Sequence, residues 1–157
     1  MISEIAPSEH AALRALARAV FSQTFAALYD PAPFDAFCDQ VYGPGGSMDR
    51  DLADASIQWR ASRDEAGAIT GYAKLRPLAA PAADPAPGAM ELQQIYVAPA
   101  WHGRGAAEAL MQWAVTTARE QGAGELYLTV FAHNERAKRF YSRHGFEDVG
   151  GCTFTLG

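Results

Sequence analysis

The sequence predicts a single α/β domain, built as a three-layer α/β/α sandwich around a mixed central sheet. Its length of 157 residues suits one core. Helical periodicity dominates the first third of the chain, a strand pair follows, and the remainder alternates strand with helix. This order of elements is typical of helices packed on both faces of a sheet. We therefore treat residues 1–157 as one domain.

The N-terminal third is predicted to be a short strand followed by helices. Ser8 is a candidate N-cap of the first helix, and Asp30-Pro31-Ala32-Pro33 is expected to break that helix. Ser47 is a candidate cap for a short third helix. The predicted ranges are a strand over residues 2–5, a second helix over 34–41 and a third helix over 47–55.

A strand pair and a long loop occupy the middle of the chain. Residues 56–63 and 68–75 have strand patterns and are joined by a turn at 64–67, which predicts a hairpin. Residues 78–88 are rich in proline and alanine and contain few large apolar groups. A loop of this length in a compact domain tends to be functional or mobile.

The C-terminal half alternates strands with helices. Pro99 closes a strand of the buried type, and Gly122-Ala123-Gly124 ends the helix that follows. Asn134 is well placed to cap a short helix, which Gly145 stops. The predicted ranges are strands over 92–97, 126–131 and 146–156, with a helix over 106–121.

The charge and the cysteine content narrow the class of protein. A formal net charge of −5 argues against a nucleic-acid binder, which usually needs a basic surface. Cys38 and Cys152 are isolated, which predicts two reduced thiols. No signal peptide and no apolar run of about 20 residues is visible, so we expect a cytoplasmic protein. The spacing of His10, His133 and His144 predicts no metal site.

A glycine-rich turn between the strand over 92–97 and the following helix is the main candidate for a binding site. Glycines let a ligand approach the backbone, and the first amides of a helix have no internal partner, so the turn suits a diphosphate. The alternative is a tight turn that only lets strand and helix pack. Glu108 stands where a dinucleotide-binding fingerprint needs glycine, and no P-loop sequence is present. The turn consists of His102, Gly103, Arg104, Gly105, Ala106 and Ala107.

Several motifs in a fixed order accompany this turn. They are Glu91-Leu92-Gln93-Gln94-Ile95-Tyr96-Val97-Ala98-Pro99, then the turn, then Asn134-Glu135-Arg136-Ala137, Phe140-Tyr141 and His144-Gly145-Phe146. Together they resemble the GCN5-related N-acetyltransferase (GNAT) superfamily over residues 56–156. The N-terminal helices, the strand 72–77 and the ending 153–157 look like its bacterial spermidine/polyamine acetyltransferase branch.

The resemblance implies that acetyl-CoA is a co-substrate and that no metal is needed. It implies that Ile95, Tyr96 and Val97 line the pantetheine arm, with the Val97 N–H directed at the thioester oxygen. The turn would hold the diphosphate, aided by Asn134 and by Arg136. The family usually has Gln or Arg where this chain has His102. The diphosphate is held mainly by backbone amides in the family, so we expect binding to depend on the amides of the turn more than on its side chains.

Two residues are candidates for proton transfer in this resemblance. Tyr141 matches the family's general acid, and the alternative is a core aromatic paired with Phe140. Glu91 is the candidate base for the acceptor amine, and the alternative is an exposed carboxylate at a strand start. Weaker candidates for the base are Glu65, Asp84 and Glu125.

The implied activity is acetyl transfer to the primary amine of a small molecule such as a polyamine, by direct attack in a ternary complex. The alternatives are a non-catalytic acyl-CoA-binding regulatory module and acetylation of protein or peptide amines. The family has one further strand beyond the position of Gly157, so the sheet edge would be open, truncated or completed by a partner chain, as in a homodimer.

Overall fold

The fold is taken from a computed structural model that describes residues 2–80, 82, 84–130 and 134–148. Short 3₁₀ turns at Pro7–Glu9, Ala26–Leu28 and Pro99–Trp101 join some of the elements. The longer elements are β1 (Ile2–Ser3), α1 (His10–Phe25), α2 (Pro31–Tyr42), α3 (Ser47–Ala53), β2 (Gln58–Arg63), β3 (Ile69–Pro77), β4 (Met90–Val97), α4 (Ala106–Glu120), β5 (Leu126–Tyr127) and α5 (Glu135–Arg143).

The five strands lie in one sheet in sequence order, β1-β2-β3-β4-β5. Strands β1 to β4 pair antiparallel, whereas β4 and β5 are parallel, so the predicted mixed sheet is confirmed. The hairpin is also confirmed, with Trp59 opposite Lys74 and Ala61 opposite Tyr72. The parallel pair needs a crossover, which α4 supplies.

Helices cover both faces of this sheet. On one face, α1, α2 and α3 bury Leu13, Phe34 and Met48 against the sheet residues Trp59 and Tyr72. On the other face α4 packs against β3 and β4, and α5 adds partly buried aromatic side chains there. That second cluster contains Ala73, Leu92, Val97, Leu110, Met111 and Ala114. Three layers are therefore present, as predicted from the order of elements.

The starts of the first three helices differ from the sequence-based expectation. Ser8 lies inside a 3₁₀ turn and does not cap α1, which begins at His10. Helix α2 begins at Pro31, because a proline in the first turn loses only an N–H that has no helical partner. Gly46 is the N-cap of α3, so Ser47 is already helical. A Cβ on Gly46 would lie 2.5 Å from the Gln40 oxygen, which explains the glycine.

The predicted strands after α4 are shorter in the structure. Strand β5 pairs only at Leu126 and Tyr127, and residues 128–130 are not in a strand. Residues 146–148 of the predicted last strand are also not in a strand, and its remainder lies outside the described residues, as do Phe131 and Cys152. Cys38 is buried and free, as expected for a reduced thiol.

Candidate active site

Strands β4 and β5 part soon after they meet. They pair only at Met90 with Leu126 and at Glu91 with Tyr127. Strand β4 then continues for six residues to Val97, and within the described part of the chain no strand pairs with that stretch on the β5 side. Backbone N–H and C=O groups there lack ladder partners. The separation therefore opens a gap lined by β4 backbone.

The pairing with β3 shows which backbone groups face this gap. The Ala98 N–H donates to the Thr70 oxygen at 2.8 Å, so Ala98 is directed toward β3. Backbone groups of successive strand residues alternate between the two neighbouring strands. Tyr96 therefore also faces β3, whereas Ile95 and Val97 face the gap. Of the three candidate β4 residues, only these two present backbone groups to a ligand there.

The turn that follows β4 has the geometry of an anion site. Gly103 and Gly105 have φ values of 77° and 83°, in the left-handed region that other residues adopt only with strain. Gly105 is the N-cap of α4, and as a glycine it has no side chain that could bond to the first amides of that helix. The first intrahelical bond runs from the Ala109 N–H to the Gly105 oxygen, so the preceding amides of α4 are left for a ligand.

His102 connects this turn to two other elements. One ring nitrogen, Nε2, lies 2.8 Å from the Val97 carbonyl oxygen at the end of β4. The other, Nδ1, lies 2.8 Å from Nη1 of Arg136 in the first turn of α5. Val97, His102 and Arg136 are thus brought together, although the sequence separates the last two by 34 residues.

Arg104 is directed to a different place. Its guanidinium lies 4.8 Å from the centre of the Trp101 ring, a cation–π contact. With Trp101 it lines a cavity of about 160 Å³ whose other walls include Ser62 and Thr70 of β2 and β3. This cavity lies on the β2 and β3 side of the turn. The structure therefore separates Arg104 from Arg136, which lies on the α5 side.

Helix α5 and its N-cap supply two further predicted residues besides Arg136. Asn134 is its N-cap, and its Oδ1 accepts a hydrogen bond from the Ala137 N–H at 3.0 Å. Tyr141 packs against the cluster that contains Val97, with edge-on contacts to Phe140 at 5.7 Å and to Phe146 at 6.1 Å. Burial, with a smaller effect of Tyr96, raises the pKa of Tyr141 to about 12. The phenol is thus held in its protonated form at neutral pH.

Glu91 lies at the start of β4 and not beside Val97. Six residues of strand place the two about 20 Å apart along β4. The alternative interpretation, an exposed carboxylate at a strand start, is wrong, because only 3% of Glu91 is exposed. Its Oε1 accepts hydrogen bonds from the Ala79 and Ala80 N–H groups, both at 3.0 Å. Glu91 therefore anchors the start of the loop over residues 78–88.

A buried polar group near Glu91 was not predicted from the sequence. Lys74 of β3 forms an ion pair with Asp51 of α3, and its ammonium lies 5.2 Å from the centre of the Trp59 ring. Burial lowers the pKa of Lys74, and the hydrogen bond that Lys74 donates to Asp51 opposes that effect. A lysine within the otherwise apolar run of β3 was the one available signal.

A β-bulge lies next to Lys74 in the pairing of β3 with β4. The register steps from Lys74 opposite Gln94 to Leu75 opposite Leu92, which leaves Gln93 without a partner residue. The Gln93 Oε1 is buried and accepts no hydrogen bond from the described residues. A bulge bends a strand locally and increases its twist. The bulge at Gln93 lies two residues beyond Glu91, the last β4 residue that pairs with β5.

Comparison with known proteins identifies the class to which this fold and site belong. The model of the Acetyltransferase (GNAT) family matches residues 12–146, which is most of the chain. The chain therefore belongs to the GNAT acetyltransferase family. This confirms the resemblance drawn from the motifs around the turn.

Individual relatives and one solved structure agree with this assignment. An uncharacterized N-acetyltransferase of Mycobacterium tuberculosis is 46% identical over 68 residues, covering 43% of this chain and 44% of the relative. The streptothricin acetyltransferase of Streptomyces lavendulae is 41% identical over 61 residues, covering 39% of this chain and 32% of the relative. The chain thus matches less than half the length of these curated relatives.

The solved structure is the PaiA N-acetyltransferase of Thermoplasma acidophilum in complex with coenzyme A. It superposes with a TM-score of 0.76 at 19% identity, covering 94% of this chain and 89% of that chain. At this identity the likeness establishes a common fold. None of the helices in the described residues combines the length and the apolar character that crossing a membrane requires.

Proposed function

We propose that this chain is an N-acetyltransferase that moves the acetyl group of acetyl-CoA to a primary amine in a ternary complex. The observation that carries the proposal is the gap between β4 and β5, with backbone groups of Ile95 and Val97 facing it. The uncapped start of α4 lies at the end of the same strand. Acetyl-CoA carries a thioester on a long arm and a diphosphate further along. The arm suits the gap, and the diphosphate suits the anion site at the end of β4.

The CoA moiety would bind along β4 and end on the turn. Gly103, Gly105, Ala106 and Ala107 have no long side chains, so a diphosphate can lie on their amides, each charge-assisted bond contributing about 1.5–3 kcal/mol. The pantetheine arm would pair with Ile95 and Val97 as a substitute strand. The resemblance to the family adds Asn134 and Arg136 as further contacts.

In the reaction, the neutral amine nitrogen attacks the thioester carbonyl carbon, a C–N bond forms and the C–S bond breaks. The Val97 N–H donates a hydrogen bond to the carbonyl oxygen as negative charge develops there, a contribution of about 2.7–4 kcal/mol to lowering the barrier. Tyr141 then protonates the departing thiolate. A tyrosine phenol is protonated at neutral pH, so Tyr141 can donate that proton.

Glu91 is proposed to accept, through water, the proton that the amine loses. Its burial beside the gap supports this role, and its distance from Val97 calls for a water relay. Its bonds to Ala79 and Ala80 also hold the loop over residues 78–88, which borders the proposed acceptor approach. One carboxylate would then both shape the acceptor pocket and take the proton.

The acceptor is proposed to be a small molecule that carries a primary amine, such as a polyamine. The net charge of −5 favours a cationic acceptor. The relative named streptothricin acetyltransferase supports a small-molecule acceptor. Its pocket would lie between the N-terminal helices and the loop over residues 78–88.

The test is release of CoA thiol from acetyl-CoA by the purified chain with a panel of amines. The panel contains spermidine, spermine, an aminoglycoside, a peptide with a free N-terminus and free lysine. We expect a thiol signal that needs a small amine and a matching N-acetyl product by mass spectrometry. Turnover with the peptide alone would replace the proposed acceptor class, and no turnover with any amine would contradict the enzymatic proposal.

A further inference from the structure

The two contacts of His102 fix the protonation state of its ring. A guanidinium only donates hydrogen bonds, so Nη1 of Arg136 must donate to Nδ1 of His102. The Val97 carbonyl only accepts, so the Nε2–H of His102 must donate to it. The ring is therefore neutral, with its proton on Nε2, and both nitrogens are occupied by protein groups.

These bonds join three elements at the proposed CoA site. One holds the carbonyl of Val97, the last residue of β4, whose N–H is directed to the gap. The other holds the guanidinium of Arg136 next to the turn. A guanidinium has five N–H donors, and this contact uses one of them, so the others can reach a phosphate.

Other nearby cations have different partners. Arg104 lies over Trp101 on the far side of the turn. Lys138 lies 3.6 Å from the Glu135 carboxylate. Of these three cations, Arg136 is the one that His102 holds beside the turn before α4.

We propose that His102 is a positioning residue for CoA binding: it holds Arg136 and the Val97 peptide in place, and touches no part of CoA itself. The family usually has Gln or Arg at this position, whereas this chain has His102. The inference rests on CoA binding at the turn, which is part of the proposed function. It predicts that loss of either bond weakens CoA binding, and that a side chain able to form both bonds restores it.

The experiment measures the dissociation constant of CoA by calorimetry for the whole chain and three variants. His102→Phe keeps a ring of similar size and loses both bonds, and we expect CoA to bind about tenfold more weakly. His102→Gln offers an N–H for Val97 and an oxygen for Arg136, and we expect affinity close to that of the wild type. Arg136→Met removes the hydrogen bond between Arg136 and His102 together with the guanidinium itself. It should weaken CoA binding by at least as much as His102→Phe.

A double-mutant cycle and a control complete the test. If His102 acts through Arg136, the variant His102→Phe with Arg136→Met should bind CoA only slightly more weakly than Arg136→Met alone. His10→Phe removes an imidazole on the α1 side of the sheet and should leave CoA affinity unchanged. In acetylation assays, His102→Phe should raise KM for acetyl-CoA and also lower kcat, because the Val97 peptide that is proposed to face the thioester oxygen is no longer held.

Several results would overturn the proposal. Unchanged CoA affinity in His102→Phe would do so, as would an equal loss in His102→Phe and His102→Gln, or fully additive effects in the cycle. Nitrogen NMR of the imidazole gives a direct readout that needs no variant, and a proton on Nδ1 would contradict the geometry. If the wild type binds CoA but acetylates no amine, the proposed function fails and the role of His102 stands.

Discussion

At the residue scale, Tyr141 is the side chain whose proposed role is easiest to separate from packing. Phenylalanine keeps its contacts with Phe140 and Phe146 and removes only the hydroxyl. We expect Tyr141→Phe to lower kcat by about 100-fold, because the thiolate then leaves without a positioned acid. CoA affinity should not change, and both quantities can be measured by thiol release and calorimetry.

A matched variant tests whether the loss of any tyrosine hydroxyl lowers kcat. Tyr127→Phe removes a hydroxyl of β5 that donates to Glu125 at 2.9 Å, opposite the start of β4 and not beside Val97. Its kcat should equal that of the wild type. Equal rates for Tyr141→Phe and the wild type would instead favour a core aromatic in a module that binds acyl-CoA without turnover.

Glu91 requires a substitution that keeps its contacts with the loop. Glutamine retains an oxygen that can accept from the Ala79 and Ala80 N–H groups but cannot take a proton at neutral pH. We expect Glu91→Gln to lower kcat/KM for the amine by about 100-fold while CoA affinity is kept. Steady-state kinetics over a range of amine concentrations checks this expectation.

Glu125 provides the control for loop anchoring. Its Oε1 accepts from the Ala86 N–H at 2.6 Å, so it holds the other end of the same loop. Glu125→Gln should leave kcat/KM unchanged. A similar loss of rate in both variants would assign Glu91 to the shape of the loop and not to proton transfer.

At the scale of elements, the turn before α4 depends on the left-handed backbone of Gly105. Alanine at this position costs about 1–2 kcal/mol of stability, or it moves the turn. We expect Gly105→Ala to weaken CoA binding as well, because the amides of the turn would no longer converge on one anion. Chemical unfolding and calorimetry measure the two effects separately.

The hairpin between β2 and β3 provides the matched glycine. Gly67 has φ of 86°, close to that of Gly105, but it lies in a turn far along the chain from the CoA site. Gly67→Ala should lose a similar amount of stability and bind CoA normally. A loss of CoA affinity in both variants would mean that the strain acts through general unfolding.

At the scale of the whole molecule, Arg63 fastens the N-terminal segment to the sheet. It bonds the Ser3 hydroxyl at 2.7 Å, the Glu4 carbonyl at 2.9 Å and both carboxylate oxygens of Glu9. The bond from Arg63, with one from the Ala6 N–H, lowers the pKa of Glu9 from 4.5 to about 2. One guanidinium thus links β1 and the residues that follow it to β2, in addition to the backbone pairing of the two strands.

This shift gives the pH dependence of stability a definite sign. Because the folded state lowers the pKa of Glu9, its carboxylate contributes stability fully above pH 4.5, and the contribution is lost as pH falls toward about 2. We expect Glu9→Gln to be less stable than the wild type at pH 7 and the difference to shrink below pH 4. Urea unfolding at several pH values measures the difference.

The ion pair between Arg18 and Asp39 serves as the comparison. It lies on the surface, with 70% of the Asp39 side chain exposed, and exposed pairs contribute little. Asp39→Asn should change stability much less than Glu9→Gln at pH 7. A Glu9→Gln deficit that persisted unchanged at low pH would show that the loss has another cause than the carboxylate charge.

The sequence by itself determined the parts of this protein that follow local rules. The order of elements from β1 to α5, the hairpin, the glycine turn and the cap at Asn134 each depend on residues a few positions apart, and all are present in the structure. The predicted starts of the first helices were wrong, because helix α2 begins at Pro31 and Gly46 caps α3, where the sequence alone suggests a break and a turn. The family followed from motifs of the same local kind.

Only the tertiary structure decided where β4 leaves β5, which backbone groups face the gap, and what His102 and Glu91 contact. Strand separation depends on the register of two strands more than 30 residues apart. The contacts of His102 join residues from three elements, and Glu91 is buried by a loop that folds back on it. Such contacts have no local sequence pattern, because they depend on packing that forms only when the whole domain folds.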